Sequence, residues 1–166
     1  MTSVALKKEE VTLHRREQIF GFEEAIKKTE GSFQGDNELC PLKHTFADGI
    51  YVREIFIPAG TYLTGKIHRH SHPNFLMSGT VDVFTESGGK ERLTGPLSMI
   101  SPPGTKRALF AVTDLCWVTC HVNESNTQNL DKIEDFVIAK DYVEYEKFRK
   151  KDKLISFVRR ILHLKF

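Results

Sequence analysis

No run of about 18 apolar residues occurs in this 166-residue chain, so no membrane-spanning helix and no membrane insertion are expected. The first ten residues, Met-Thr-Ser-Val-Ala-Leu-Lys-Lys-Glu-Glu, lack the apolar segment of a secretory signal. Cysteine is scarce and odd in number: Cys40, Cys116 and Cys120. That argues against a disulfide framework and for a reducing compartment, with the cytoplasm as the expected location. The glycine-rich signatures of phosphate cradles are missing, as is the G-x-S-x-G elbow. Nothing pairs two carboxylates as a glycosidase would. Nucleotide-driven and serine-hydrolase chemistry therefore find no support.

What is present is an ordinary globular composition, 40% hydrophobic and 28% charged, long enough for one domain with a buried core. The formal net charge of +2 hides an asymmetry. Residues 140–166 hold nine Lys/Arg against four Asp/Glu, leaving the rest of the chain mildly acidic. A basic tail of this kind can contact acidic partners. Without interleaved aromatics or a known motif it reads as a solvated helix face, and nucleic-acid binding is not expected.

Three zones follow one another. Residues 14–30 read as a helix, with Ile19, Phe22 and Ile26 at helical spacing and Gly31 placed to stop it. From residue 50 to 122 the pattern changes to short strands: 50–57, 75–84, 97–100, 107–112 and 115–122. Pro58, Gly60, Ser87-Gly-Gly89, Gly95-Pro96 and Pro102-Pro-Gly104 mark the turns between them. That rhythm suggests an antiparallel sandwich or barrel. Trp117, Tyr51, Phe56 and Phe84 read as core residues. Residues 129–166 read as helical again, with Leu154, Phe157, Val158 and Ile161 forming a stripe widened by Ile155, Leu162 and Phe166. The resulting domain plan is an N-terminal helical arm and loop at 1–45, a β-barrel at 46–125 and a C-terminal helical extension at 126–166.

Three of the seven histidines fall within five residues: His68, His70 and His72. Neutral imidazole is the commonest ligand for transition metals. Residues two apart on an extended strand share a face, so an extended segment would aim all three at one cavity. His121 lies on the same strand face as Trp117 and Thr119. Cys116 and Cys120 lie on the opposite one and read as wall residues. His44 reads as a rim or lid residue, and His14 and His163 as surface or helix-end residues.

The β zone resembles the cupin superfamily, whose first motif runs G-x5-H-x-H-x3-4-E-x6-G. Gly60 and Gly79 meet its two glycines, with Lys66 at the first histidine position, His68 at the second and His72 at the glutamate. Gly95, Pro102 and Gly104 meet the second motif, where Arg107 takes the histidine position and Ala111 the asparagine. The run as a whole also looks like small cupins of bacteriophage genomes. The resemblance implies a mainly β fold, a cupin-type jelly-roll barrel flanked by the two helical arms. It also implies a divalent transition metal (zinc, iron, nickel or manganese) in the barrel.

Lys66 and Arg107 are cations at two customary ligand positions, so a four-ligand site of the usual kind is not expected. The ligand set expected instead is His68, His72 and His121, with His70 as fourth candidate; the rival readings are hydrogen-bonded histidines in a metal-free pocket for His68 and His72, a satisfied strand-end histidine for His121 and an exposed loop residue for His70. Lys66, Arg107 and His44 are expected to bind a ligand, the two cations clamping a carboxylate or phosphate. Two functions remain open. One is a metal-dependent oxygenase, isomerase or hydrolase acting on a small anionic or sugar-like molecule. The other is a non-catalytic phage structural or protein-interaction module, in the virion or the host cytoplasm. In either case the terminal helices are expected to build a homo-oligomer.

Overall fold

A computed structural model describes residues 3–163. The first helix, α1, spans Ser3–Lys27. It starts well before the expected residue 14, because nothing in the Lys- and Glu-rich first turns breaks a helix. It ends before residue 30. Thr29 Oγ1 donates to the Ala25 carbonyl at 3.0 Å, and the chain turns through Gly31 at φ +80°, the left-handed conformation favoured at helix ends.

Eleven strands follow among the described residues. They are β1 (Leu42–Ala47), β2 (Gly49–Ile57), β3 (Tyr62–Thr64), β4 (Ile67–His68), β5 (His72–Ser78), β6 (Thr80–Thr85), β7 (Gly89–Thr94), β8 (Leu97–Ser101), β9 (Arg107–Ala111), β10 (Leu115–Asn123) and β11 (Ile138–Ala139). The larger sheet runs β1-β2-β10-β5-β8 and the smaller β3-β9-β6-β7. All strand pairs are antiparallel. Consecutive strands passing back and forth between two facing sheets give a jelly roll.

The segment 75–84, which reads as one strand in the sequence, is two. Gly79 sits between them at φ +88°, where a Cβ would lie 2.2 Å from the Asp114 carbonyl oxygen. Only glycine fits there, and the corner it makes sends β5 into one sheet and β6 into the other. The larger sheet also starts earlier than the barrel boundary expected at residue 46. β1 pairs with β2 from Leu42↔Ile55 to Ala47↔Ile50, which makes His44 part of the sheet.

One apolar cluster fills the space between the sheets: Cys40, Ile57, Leu76, Val81, Val83, Ala111, Leu115 and Trp117. Trp117 and Tyr51 are core residues as expected, but Phe56 is 42% exposed. It falls in the outward half of β2's alternation. Helix α1 covers the smaller sheet and is pinned by a polar junction. Lys106 Nζ donates to Glu23 Oε1 at 2.8 Å, Tyr142 OH donates to Glu86 Oε1 at 3.2 Å, and the Arg16 guanidinium lies 3.8 Å above the Tyr142 ring.

The C-terminal zone is not one helix. Helix α2 (Leu130–Val137) is capped by Asn129, β11 then pairs with β4, and α3 runs Tyr142–His163. Asp141 caps α3, accepting from the Glu144 N–H at 2.7 Å, and Glu144 Oε2 accepts from the Lys140 N–H just ahead of the helix at 2.6 Å. On α3, Leu154 (63%), Ile155, Phe157 and Val158 are exposed. The side chains of Ile161, Leu162 and His163, and the whole of Phe166, lie outside the described residues. Among the described residues no helix is long and apolar enough to cross a membrane.

Candidate metal centre

The inward face of the larger sheet changes character along its strands. On β10 the inward series is Leu115, Trp117, Thr119, His121, Asn123; on β2 it is Ile57, Ile55, Arg53, Tyr51. Register places Tyr51 opposite His121 and Arg53 opposite Thr119. On β5, His72 is opposite Ser101 of β8, and Asn74 lies between Thr119 and Met99. One end of the barrel is therefore apolar. The other is lined by imidazoles, guanidinium and amide groups.

His68, His72 and His121 meet at that polar end. One ring nitrogen of each lies within 4.8 Å of the others, and the ring centroids are 4.1, 4.7 and 5.0 Å apart. His72 and His121 are buried. His72 arrives on β5 and His121 on β10. His68 ends β4, a two-residue strand held by pairing with Ile138 of β11 and by the Gly104 N–H donating to its carbonyl at 2.7 Å. The C-terminal extension thus positions one of the three imidazoles.

Burial holds these rings neutral. For His68 it is the largest cause, aided by the neighbouring imidazoles and by Arg107 and Arg53, and its pKa falls to about 2. His121 is pushed down to about 3 by burial and then by His72 and Arg53. Burial also lowers His72, against a raising contribution from its bond to the His70 carbonyl. That contact, 3.2 Å from Nδ1, requires the N–H on Nδ1 and leaves the Nε2 lone pair free. Three neutral imidazoles are the donor form a metal requires. His68 Nδ1 is buried with no hydrogen-bond partner, the mark of an atom whose partner is not a protein group. The residues present fit a transition-metal ion held by three nitrogens.

His70 is not part of this cluster. A continuous extended segment would bring it there, but β4 stops at His68 and β5 starts at His72. The three residues between them turn outward. The His70 ring sits 5.1 Å from both the Phe136 and Phe148 rings, and Arg69 bonds Glu144 at 2.7 Å. The loop is clamped to α2 and α3, and His70 serves as a packing residue.

Lys66 is also displaced from the expected role. It is exposed and paired with Glu134 of α2, since its place just before β4 faces solvent. Arg107 does line the site. Its Nη2 donates to Ser101 Oγ, and its guanidinium lies 5.8 Å from the Trp117 ring. Ser101 Oγ in turn accepts from Asn74 Nδ2 at 2.6 Å, while Asn74 Oδ1 accepts from Trp117 Nε1 at 3.0 Å. This chain of bonds fixes the floor of the polar end. His44 stands on the rim, its Nδ1 2.7 Å from Tyr51 OH, and Tyr51 stacks at 6.1 Å on His121. Cys116 and Cys120 face away from the site as free thiols.

The residue that sequence reading missed is Arg53. Its signal was available: it falls in the inward series with Tyr51, Ile55 and Ile57. A cation on the core-facing side of a strand needs a reason.

No family model matches the chain, and none of the curated proteins does. Among solved structures the fold is similar to an RmlC-like cupin from Shewanella frigidimarina (17% identity, 63% of this chain and 90% of that one, TM-score 0.46). It is similar too to ectoine synthase from P. lautus (17%, 59% and 72%, TM-score 0.46) and to KdgF from Halomonas sp. (17%, 55% and 84%, TM-score 0.44). These likenesses are of fold alone.

Proposed function

We propose that this chain is a small single-domain cupin that holds a divalent transition metal through His68, His72 and His121 and binds, or acts on, a small anionic or sugar-like ligand at the polar end of its barrel. The observation that carries this reading is the convergence of three neutral imidazoles within 4.8 Å. Three nitrogen ligands leave coordination positions open, and a bound metal would supply Lewis-acid or hydroxide chemistry there. The chain's own residues do the positioning. The His70 carbonyl orients His72, Tyr51 stacks on His121, and β11 holds His68 in place. Arg107 presents a cation to whatever enters, and Trp117 with Leu76 closes the apolar end against water.

Metal analysis of protein purified without a histidine tag tests this. Near-stoichiometric zinc, iron, nickel or manganese, lost in the His68→Ala/His72→Ala double variant, is the expected result. Metal-free protein whose melting temperature is unmoved by that pair of substitutions would overturn it.

The second reading, a non-catalytic module in a phage particle or another assembly, is favoured by the exposed apolar stripe Leu154, Ile155, Phe157 and Val158 on α3. On this reading deletion of the residues after Lys150 lowers the oligomeric state measured by light scattering. An unchanged assembly removes α3 from any role in association.

A further inference from the structure

The polar end of the barrel carries a charge problem that three histidines do not solve. Arg53 enters from the larger sheet, its Cα opposite Thr119 on one side and His44 on the other. Arg107 enters from the smaller sheet and is held by Ser101, which is the cross-strand neighbour of His72. Two guanidinium groups therefore approach the imidazole cluster from opposite walls, and burial opposes the charge of each.

Both side chains are half-buried, and cations partly withdrawn from water are normally paired, because losing hydration without a counter-charge is unfavourable. Among the described residues neither guanidinium has a carboxylate within ion-pair distance: the pairs formed involve Lys27, Lys66, Arg69, Lys90, Arg92, Lys106 and Arg149 instead. The carboxylates whose fields reach them are engaged elsewhere. Of the two that act on Arg53, Glu134 binds Lys66 and Asp36 accepts from the Leu42 N–H. Glu86, which acts on Arg107, bonds the Lys106 N–H and Tyr142. A divalent ion added to this setting would increase the positive charge further. The site as built is complementary to a ligand carrying more than one negative charge.

We infer that the polar end of the barrel is a receptor for a small dicarboxylate, one carboxylate taken by Arg53, the other by Arg107, with the three-histidine cluster between them. Guanidinium is the side chain best shaped for this, since its fork meets both oxygens of a carboxylate. Two such forks on opposite walls select two separated carboxylates over one. The inference narrows the ligand class of the proposed function. It rests on that reading only for the ion between the two clamps.

Calorimetric titration with malonate tests it, using acetate, inorganic phosphate and galactose as comparison ligands at constant ionic strength. Each is titrated into the metal-loaded and the chelator-treated protein. Malonate is expected to bind more tightly than the other three. Arg53→Met and Arg107→Met should each weaken it roughly ten- to a hundred-fold, the size of losing a charge-assisted contact, with metal content unchanged. Thermal stabilisation of the unaltered protein by malonate but not acetate gives a readout that needs no variant to fold. Equal binding of acetate or galactose, tighter binding of phosphate, or malonate affinity indifferent to both substitutions would overturn the dicarboxylate assignment. Arginine-dependent malonate binding to protein that takes up no metal would uphold the anion receptor and defeat the metal reading alone. Metal uptake without malonate binding would do the reverse.

Discussion

The two ends of the barrel interior are built from the same strands and do opposite work. At one end Leu76, Val81, Ala111 and Leu115 are almost wholly excluded from water, and their burial is what drives the sheets together. At the other end, four residues from Leu76 along β5 and six from Leu115 along β10, His72 and His121 are buried as well, yet burying each imidazole costs desolvation and does not drive folding. Trp117 stands at the border, its ring in the apolar cluster and its N–H on Asn74. Apolar burial is concentrated below that border and the candidate ligating groups above it. A buried polar end that does not help folding is what a preorganised binding site looks like.

The comparison is broken most severely from the apolar side. Leu76→Ala should lower unfolding free energy by about 2–5 kcal/mol in urea titrations. Metal bound per folded molecule should not change. If metal content falls with it, the two ends are not separable.

From the polar side, the effect of acid comes next. His68 and His121 have folded-state pKa values near 2 and 3, below the 6.5 of an unfolded imidazole. Below pH 6.5 the unfolded chain takes up protons that the folded chain refuses. Stability of the chelator-treated protein should therefore fall as pH drops through the range from 6.5 to about 3, by about 1.4 kcal/mol per pH unit for each such histidine. His121→Gln should flatten the slope by one proton, as measured by denaturant midpoints at successive pH values. An unaltered slope would mean that His121 titrates freely.

Smaller effects sharpen the assignment of the neighbouring residues. His70→Phe keeps a ring between Phe136 and Phe148 and removes a buried nitrogen that has no partner. Its stability should stay within about 1 kcal/mol of the parent, with the metal retained; metal loss would return His70 to the ligand set. Lys66→Ala removes an exposed ion pair with Glu134 and should change stability by less than about 1 kcal/mol. A clear drop in malonate affinity in that variant would restore Lys66 to the site.

Turn chemistry and alternation made much of this legible from the amino acids alone. The glycines and prolines at 60, 79, 95, 102 and 104 mark corners of the jelly roll. The alternation in β10 set His121 apart from Cys116 and Cys120. Residues in regular strands were readable because a pleat has a fixed period. The place of His70 stayed open between ligand and loop residue because periodicity holds only while the chain stays extended, and residues 69–71 are held by α2 and α3, some 65 to 80 positions away. Arg53 escaped because attention to motif positions favoured Lys66, although the strand's own pattern already faced Arg53 inward.

Local sequence determined the strands, the helices and the type of atom available for ligation, since these follow from backbone geometry and side-chain chemistry. Which imidazoles meet, and which cations accompany them, was decided by tertiary structure. β4 gains its place by pairing with β11, and Arg53 and Arg107, from different sheets, both act on His68 because the two sheets fold together. Contacts of that range are set by the packing of whole layers, and no local pattern contains them.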